Sequence, residues 1–164
     1  MMSTYFSMLA WREILARIFD DFTLQESVSP EWLINPATKR KLKLDTYYPE
    51  AEVAIRFTGL MAKGQRRQSD WDVLETQQRD QTRAELCRLN GVQMALIDTN
   101  DEPVKQLDGL LRVLTRAERM LSAGDLPAKE RNARRAKLTD ARARGEELRG
   151  LIRKQPEQMM ANLA

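Results

Sequence analysis

Leu42-Lys43-Leu44-Asp45-Thr46-Tyr47-Tyr48-Pro49-Glu50-Ala51-Glu52-Val53-Ala54-Ile55-Arg56-Phe57-Thr58-Gly59 is the stretch on which the fold turns. Leu42 and Leu44 alternate with Lys43 and Asp45, and Val53, Ile55 and Phe57 alternate with Glu52, Ala54 and Arg56. That period of two is what a strand with one face on a core requires. Tyr48-Pro49-Glu50 supplies a turn between the two runs. The expectation is an antiparallel hairpin.

Upstream, Pro30 and Asn35-Pro36 interrupt regular structure, and the basic run Lys39-Arg40-Lys41 leads into the hairpin. Before them, Met8, Trp11, Leu15, Ile18, Phe19 and Phe22 recur three and four apart, the stripe of an amphipathic helix. Downstream, residues 59–70 hold Gly59, Lys63, Gly64, Arg66 and Arg67 with few large apolar groups, which predicts a loop whose cations can meet phosphate. Helix formers dominate from Asp70 to Asn90, where Asn90-Gly91 gives a stop signal. Val92, Met94 and Leu96 then alternate with Gln93, Ala95 and Ile97, a third strand that is apolar on both faces and so is expected inside the sheet. The helix between hairpin and third strand is the expected crossover.

Asp101-Glu102-Pro103 has the composition of a helix start, followed by Val104, Leu107, Leu111, Leu114 and Leu121 in a seven-residue rhythm. Residues 123–127 close that helix, and Leu138, Ala141, Gly145, Leu148 and Ile152 form a matching seam on a second one. Small side chains at 141 and 145 favour close approach of the two backbones, while the segment after Pro156 is expected to fray. The fold class is therefore α/β, with a core over 1–101 (helix, β-hairpin, helix, strand) and a C-terminal helical hairpin over 102–164.

The chain has 164 residues and a net charge of +3, but the charge is uneven. Residues 103–164 hold 14 Lys/Arg against 8 Asp/Glu, whereas 1–102 hold 13 against 16. A basic half fits either a nucleic-acid footprint or a solvated arginine-rich helix. Apolar runs are too short for a membrane helix, and Arg12, Glu13 and Arg17 interrupt the first 22 residues in a way that a secretory signal does not. A cytoplasmic location without membrane contact is expected. The one cysteine, Cys87, has no partner for an internal disulfide and fits buried packing.

Several motifs carry a resemblance: Asn35-Pro36-Ala37-Thr38, Leu42 to Tyr47, Pro49-Glu50, Ala54-Ile55-Arg56-Phe57-Thr58-Gly59, Arg79-Asp80 ahead of Leu86-Cys87, and Gly91-Val92. In this order they resemble the PD-(D/E)XK, or restriction-endonuclease-like, superfamily. The nearer likeness is to its branch related to very-short-patch repair and phage homing endonucleases. It covers about half of the chain. The resemblance implies a nuclease-like α/β core acting on nucleic acid, DNA above all. It also implies strand carboxylates that hold Mg²⁺ or Mn²⁺ to activate water.

Carried over by position, Asp45 falls at the first strand aspartate and would be the metal ligand of an active site. Glu13 falls at the helix-1 glutamate and Asp80 at the helical aspartate. Arg83 stands where relatives often have a lysine. The next acid would fall at Arg56 and its companion at Thr58, and both depart from the pattern. A guanidinium neither ligates a cation nor acts as a base at neutral pH. The branch's histidine is also missing, because the chain contains none. The implied protein is a degenerate nuclease that binds nucleic acid without cutting it and needs no cofactor. Its expected contacts are Lys41, Arg56, Lys63, Arg66, Arg67 and Arg83.

Two alternatives stand beside it. An active metal-dependent endonuclease would use Glu13, Asp45 and Asp80 with Glu50 or Glu52, although Glu52 lies about 13 Å along an extended strand from Arg56. An interaction subunit would use 102–164 to bind a protein partner or a second copy. Plainer roles are also available: Asp45 paired with Lys41 or Lys43, Glu13 on a solvated helix face, and Asp80 with Arg83 as a surface ion pair.

Overall fold

A computed structural model describes residues 4–59 and 69–164. The expected loop over 59–70 lies largely outside them, and with it Lys63, Arg66 and Arg67. The chain runs α1 (Thr4–Ile18), β1 (Gln25–Val28), β2 (Leu44–Tyr48), β3 (Val53–Thr58), α2 (Asp70–Leu89), β4 (Gln93–Asp98), α3 (Pro103–Ala123), α4 (Ala128–Lys154) and α5 (Pro156–Leu163). The four strands form one mixed sheet in the order β1-β2-β3-β4. β2 and β3 form the antiparallel hairpin expected from their alternation, with Tyr48 opposite Val53 and Thr46 opposite Ile55. β3 and β4 are parallel, and α2 is the crossover between them.

Alternation along β3 and β4 divides the molecule. Val53, Ile55, Ala95 and Ile97 belong to the large core, with Trp11, Ile14 and Ile18 of α1, Leu107 and Leu114 of α3, Leu138 and Ile152 of α4, and Met160 and Leu163 of α5. Ala54 and Met94 face the other way, onto a small cluster of Leu33, Leu44, Cys87 and Val92. The break between 101 and 102 falls in the turn from β4 into α3, and packing is continuous across it: α3 lies on β3 and β4, and α4 and α5 lie on α1. The close approach expected at Gly145 occurs there, since a Cβ would stand 2.6 Å from Leu111 Cδ2.

Four features differ from the sequence reading. α1 ends at Ile18, and Phe19 and Phe22 are buried from the turn that follows, Phe19 stacking on Tyr48 with centroids 3.9 Å apart. β1 is not expected from the sequence: Gln25, Glu26 and Ser27 are polar and exposed, and pairing with β2 is what makes it a strand. β4 is an edge strand, not an internal one. Its second apolar row is covered only in part, Met94 by the small cluster, while Leu96 is exposed. The segment after Pro156 is a helix, not a frayed tail, because Met160 and Leu163 are buried and α5 packs on α1.

α2 explains how a polar sequence becomes a stable crossover. Ser69 and Asp72 form a capping box, in which Ser69 Oγ accepts from the Asp72 amide and the Asp72 carboxylate accepts from the Ser69 amide. At the other end Gly91 has φ +78°, a conformation that a side chain disfavours. Between the caps α2 buries only Arg83 and Cys87. No described helix is long and apolar enough to cross a membrane.

Candidate functional site

The face of the sheet under α2 contains a continuous ionic chain. Asp45 and Arg56 face each other across the β2–β3 hairpin, with Arg56 Nη1 donating to Asp45 Oδ2 at 2.9 Å. Arg56 Nε lies 2.6 Å from Asp80 Oδ1 of α2, close enough for strong attraction but turned away from hydrogen-bond alignment. Arg83 Nη1 donates to the same oxygen at 2.8 Å, and Arg83 Nε donates to the Lys43 carbonyl at 2.9 Å. Two carboxylates and two guanidiniums thus alternate from the hairpin to the helix. Their formal charges cancel.

Burial grades along this chain. The Asp45 side chain is 49% exposed, Arg56 24%, Asp80 14% and Arg83 10%. Asp80 and Arg83 are therefore an interior pair, not the surface pair that their spacing allows. Arg83 also ties α2 to the chain just before β2. Burial, followed by repulsion from Arg56, pulls the Arg83 pKa below its usual value, and the Asp80 and Asp45 carboxylates oppose the shift. Arg83 thus has Nε and Nη1 engaged within the fold. Asp45 pairs with Arg56 instead of with Lys41 or Lys43.

Arg56 lies between the Asp45 and Asp80 carboxylates and contacts both. Its fixed positive charge offsets both carboxylates, and a guanidinium neither ligates a cation nor acts as a base. No group of three or more acidic, histidine or cysteine side chains suited to a metal occurs among the described residues. Asp45 and Asp80 are both paired with arginine here.

The chain matches no family model, no curated protein and no solved structure.

The remaining acids do not converge on this centre. Glu13 pairs with Arg17 at 2.9 Å on α1, which packs on the opposite side of the sheet. Glu50 takes hydrogen bonds from Lys137 Nζ and the Thr23 amide, both 2.9 Å away, and these hold its pKa down at about 2. It joins the β2–β3 turn to α4. Glu52 precedes β3 at φ +53°, and desolvation raises its pKa while Arg134 lowers it. A rearranged acidic site assembled from Glu13, Asp45, Asp80 and Glu50 or Glu52 is therefore not formed. Burial likewise pushes the Cys87 thiol up to about 11, which leaves it protonated and unreactive near neutral pH.

Exposed cations lie beside the ionic chain. Lys39, Arg40, Lys41 and Lys43 are all exposed in the segment entering β2, and none has an acidic partner among the described residues. Of this group only Lys41 is among the contacts expected from the sequence, although Lys39, Arg40 and Lys43 are equally exposed. Their signal was their density, four cations in five residues. Lys39 is held at φ +60° within a turn closed by its amide on the Asn35 carbonyl, so the group sits on defined backbone.

Proposed function

We propose that this protein is a nuclease-like domain that binds nucleic acid without a metal and without cleaving it. Arg56 lying between Asp45 and Asp80 is the single observation that carries this reading, because it fills the catalytic cation's place with a fixed charge. The restriction-endonuclease-like character of the α/β core belongs to the same proposal, supported by the order of α1, the β2–β3 hairpin, α2 and the parallel β4.

The ionic chain is neutral as a unit and draws no phosphate by itself. Lys39, Arg40, Lys41 and Lys43 supply the attraction, and Arg56 keeps the neighbouring carboxylates from repelling a phosphate backbone. Contacts of this kind release condensed counterions, so affinity falls with salt. Four phosphate contacts on duplex DNA give a log–log slope of about −3.5. Binding should be equal in EDTA and Mg²⁺.

The seven-residue seam of α3 and its match on α4 are used inside the chain. Leu107, Leu111, Leu114 and Leu121 are buried with Leu138, Ala141, Leu148 and Ile152. A partner acting through 102–164 would have to use other surface of those helices.

The test is to titrate labelled duplex DNA, duplex RNA and single strands over a salt series, and to incubate supercoiled plasmid in Mg²⁺, Mn²⁺ or EDTA. The reading requires EDTA-insensitive binding that weakens in Lys39→Ala/Arg40→Ala/Lys41→Ala/Lys43→Ala, and no nicking. Metal-dependent nicking lost in Asp45→Ala would replace it with an active endonuclease.

A further inference from the structure

On the side of the molecule away from α2, the helices α3 and α4 present an arginine face to solvent. α3 buries Leu107, Leu110, Val113, Leu114, Ala117 and Leu121, and Arg112, Arg116 and Arg119 stand exposed on its opposite side. Because α3 packs on β3 and β4 from the large-core side, this stripe points away from the sheet. Across the seam between the two helices, Arg135 and Arg142 of α4 line a shallow groove of about 310 Å³ together with Arg119.

The acids between the two helices are already matched. Asp108 pairs with Arg149, and Glu118 pairs with Arg142 at 3.1 Å while accepting from the Thr139 hydroxyl at 2.7 Å. Those pairs join α3 to α4. Arg112, Arg116, Arg119 and Arg135 form no ion pair among the described residues. Glu146 adds a negative charge beside Arg149, at the Asp108 end, so the surplus lies toward Arg119 and Arg135. Arg112 and Arg116 are four apart and Arg116 and Arg119 three apart, spacings at which like charges on a helix repel. No ion pair within the described fold offsets that repulsion.

We propose that this arginine face is a second surface for the phosphate backbone of a duplex, so that one molecule holds two duplex segments at once. The proposal rests on the nucleic-acid reading for the class of partner. It adds a surface apart from Lys39, Arg40, Lys41 and Lys43, whose segment packs with the small cluster under α2. Guanidiniums grip phosphate oxygens two at a time. Arg112 to Arg119 spans about 10 Å of helix, the axial length of about three phosphates on one strand. α3 and α4 contain no aromatic residue on which single-stranded bases could stack. Their apolar stripes are buried on each other and on the sheet, which leaves none to enter a lipid surface.

The experiment immobilises one DNA duplex, adds the full chain, and then adds a fluorescent duplex without complementarity to the first. The parent should capture the second duplex, and capture should fall with salt. Arg112→Gln/Arg116→Gln/Arg119→Gln/Arg135→Gln keeps helix-forming side chains at exposed positions. It should still bind the immobilised duplex through Lys39 to Lys43, and capture should drop about tenfold or more. Lysine at the same four positions keeps the charge and should restore part of the capture, which a fold defect would not allow. Capture at the parent's level by the glutamine variant would overturn the proposal. So would loss of its binding to phosphatidylserine vesicles with capture intact, which would assign the face to a membrane. Undiminished single-duplex affinity in Lys39→Ala/Arg40→Ala/Lys41→Ala/Lys43→Ala would strike the reading of that other surface alone and support the arginine face. A parent that binds no duplex would overturn both.

Discussion

The two faces of the sheet are held by different physics. Under α1, α3, α4 and α5 the strands bury Val53, Ile55, Ala95 and Ile97 in a continuous apolar core that reaches from Ala10 to Leu163. Under α2 the core shrinks to Leu33, Leu44, Ala54, Cys87 and Val92, and four charged side chains take over the contact. Apolar burial is non-directional and tolerant of chemistry outside it. An ionic chain depends on its buried members, because loss of one of them strands its neighbours in a partly desolvated place. The comparison teaches where stability resides and where specificity resides. The apolar face makes the fold, and the α2 face fixes one arrangement of charges.

The comparison breaks most severely if the apolar face proves replaceable. Leu114→Ala, at a fully buried position of the large core, should cost about 3–4 kcal/mol, whereas Cys87→Ala in the small cluster should cost about 1 kcal/mol. Urea denaturation of both variants checks the order. Next in size is Asp80→Asn. It leaves the Arg56 and Arg83 guanidiniums facing each other without the carboxylate that both contact, at an expected loss of about 2–3 kcal/mol. A loss below 0.5 kcal/mol, on the order of a solvated surface pair, would show that the chain is ornamental.

Glu50 tests a junction on the apolar side, where charge joins the turn after β2 to α4. Its folded pKa of about 2 is below its usual 4.5, so its contribution is fully present above about pH 5 and fades as pH falls toward 2. Glu50→Gln should therefore be less stable than the parent at pH 6 by about 1 kcal/mol, with the gap closing in acid. A gap independent of pH would assign the loss to packing. The smallest effect is expected at the solvated end of the ionic chain. Asp45→Ala should change stability by less than about 0.5 kcal/mol, read from the same urea midpoints, because Asp45 is half exposed and Asp80 still holds Arg56.

Much of this architecture was legible in the sequence, for identifiable reasons. The hairpin and β4 announced themselves by alternation, α2 by its stop at Asn90-Gly91, and α3 and α4 by apolar spacing that the packing of Leu111 against Gly145 uses. β1 was not legible, since Gln25-Glu26-Ser27-Val28 has neither apolar alternation nor a strand-like φ at Ser27, which is +51°. Strand order was not legible either. Apolar residues on both faces of β4 pointed inward, yet Leu96 is exposed at the sheet edge.

The candidate site was legible in part. Asp45, Arg56, Asp80 and Arg83 were all singled out, and they do meet. Their roles were not legible, because partner choice depends on how α2 crosses the hairpin, and no residue spacing within a helix or a strand encodes that angle. Glu13 matched by position along the chain and failed in space, since α1 packs on the far face.

The central claim is that Arg56 is the resident cation of the Asp45 and Asp80 carboxylates, so that the centre takes no divalent ion. Titrating ¹⁵N-labelled protein with Mn²⁺ and following paramagnetic broadening of assigned amides measures this directly. The account predicts that the amides of Asp45, Arg56 and Asp80 broaden no more than those of other exposed acidic positions such as Glu75 and Glu130. Selective, saturable broadening at Asp45 and Asp80, with Arg56 displaced, would contradict it.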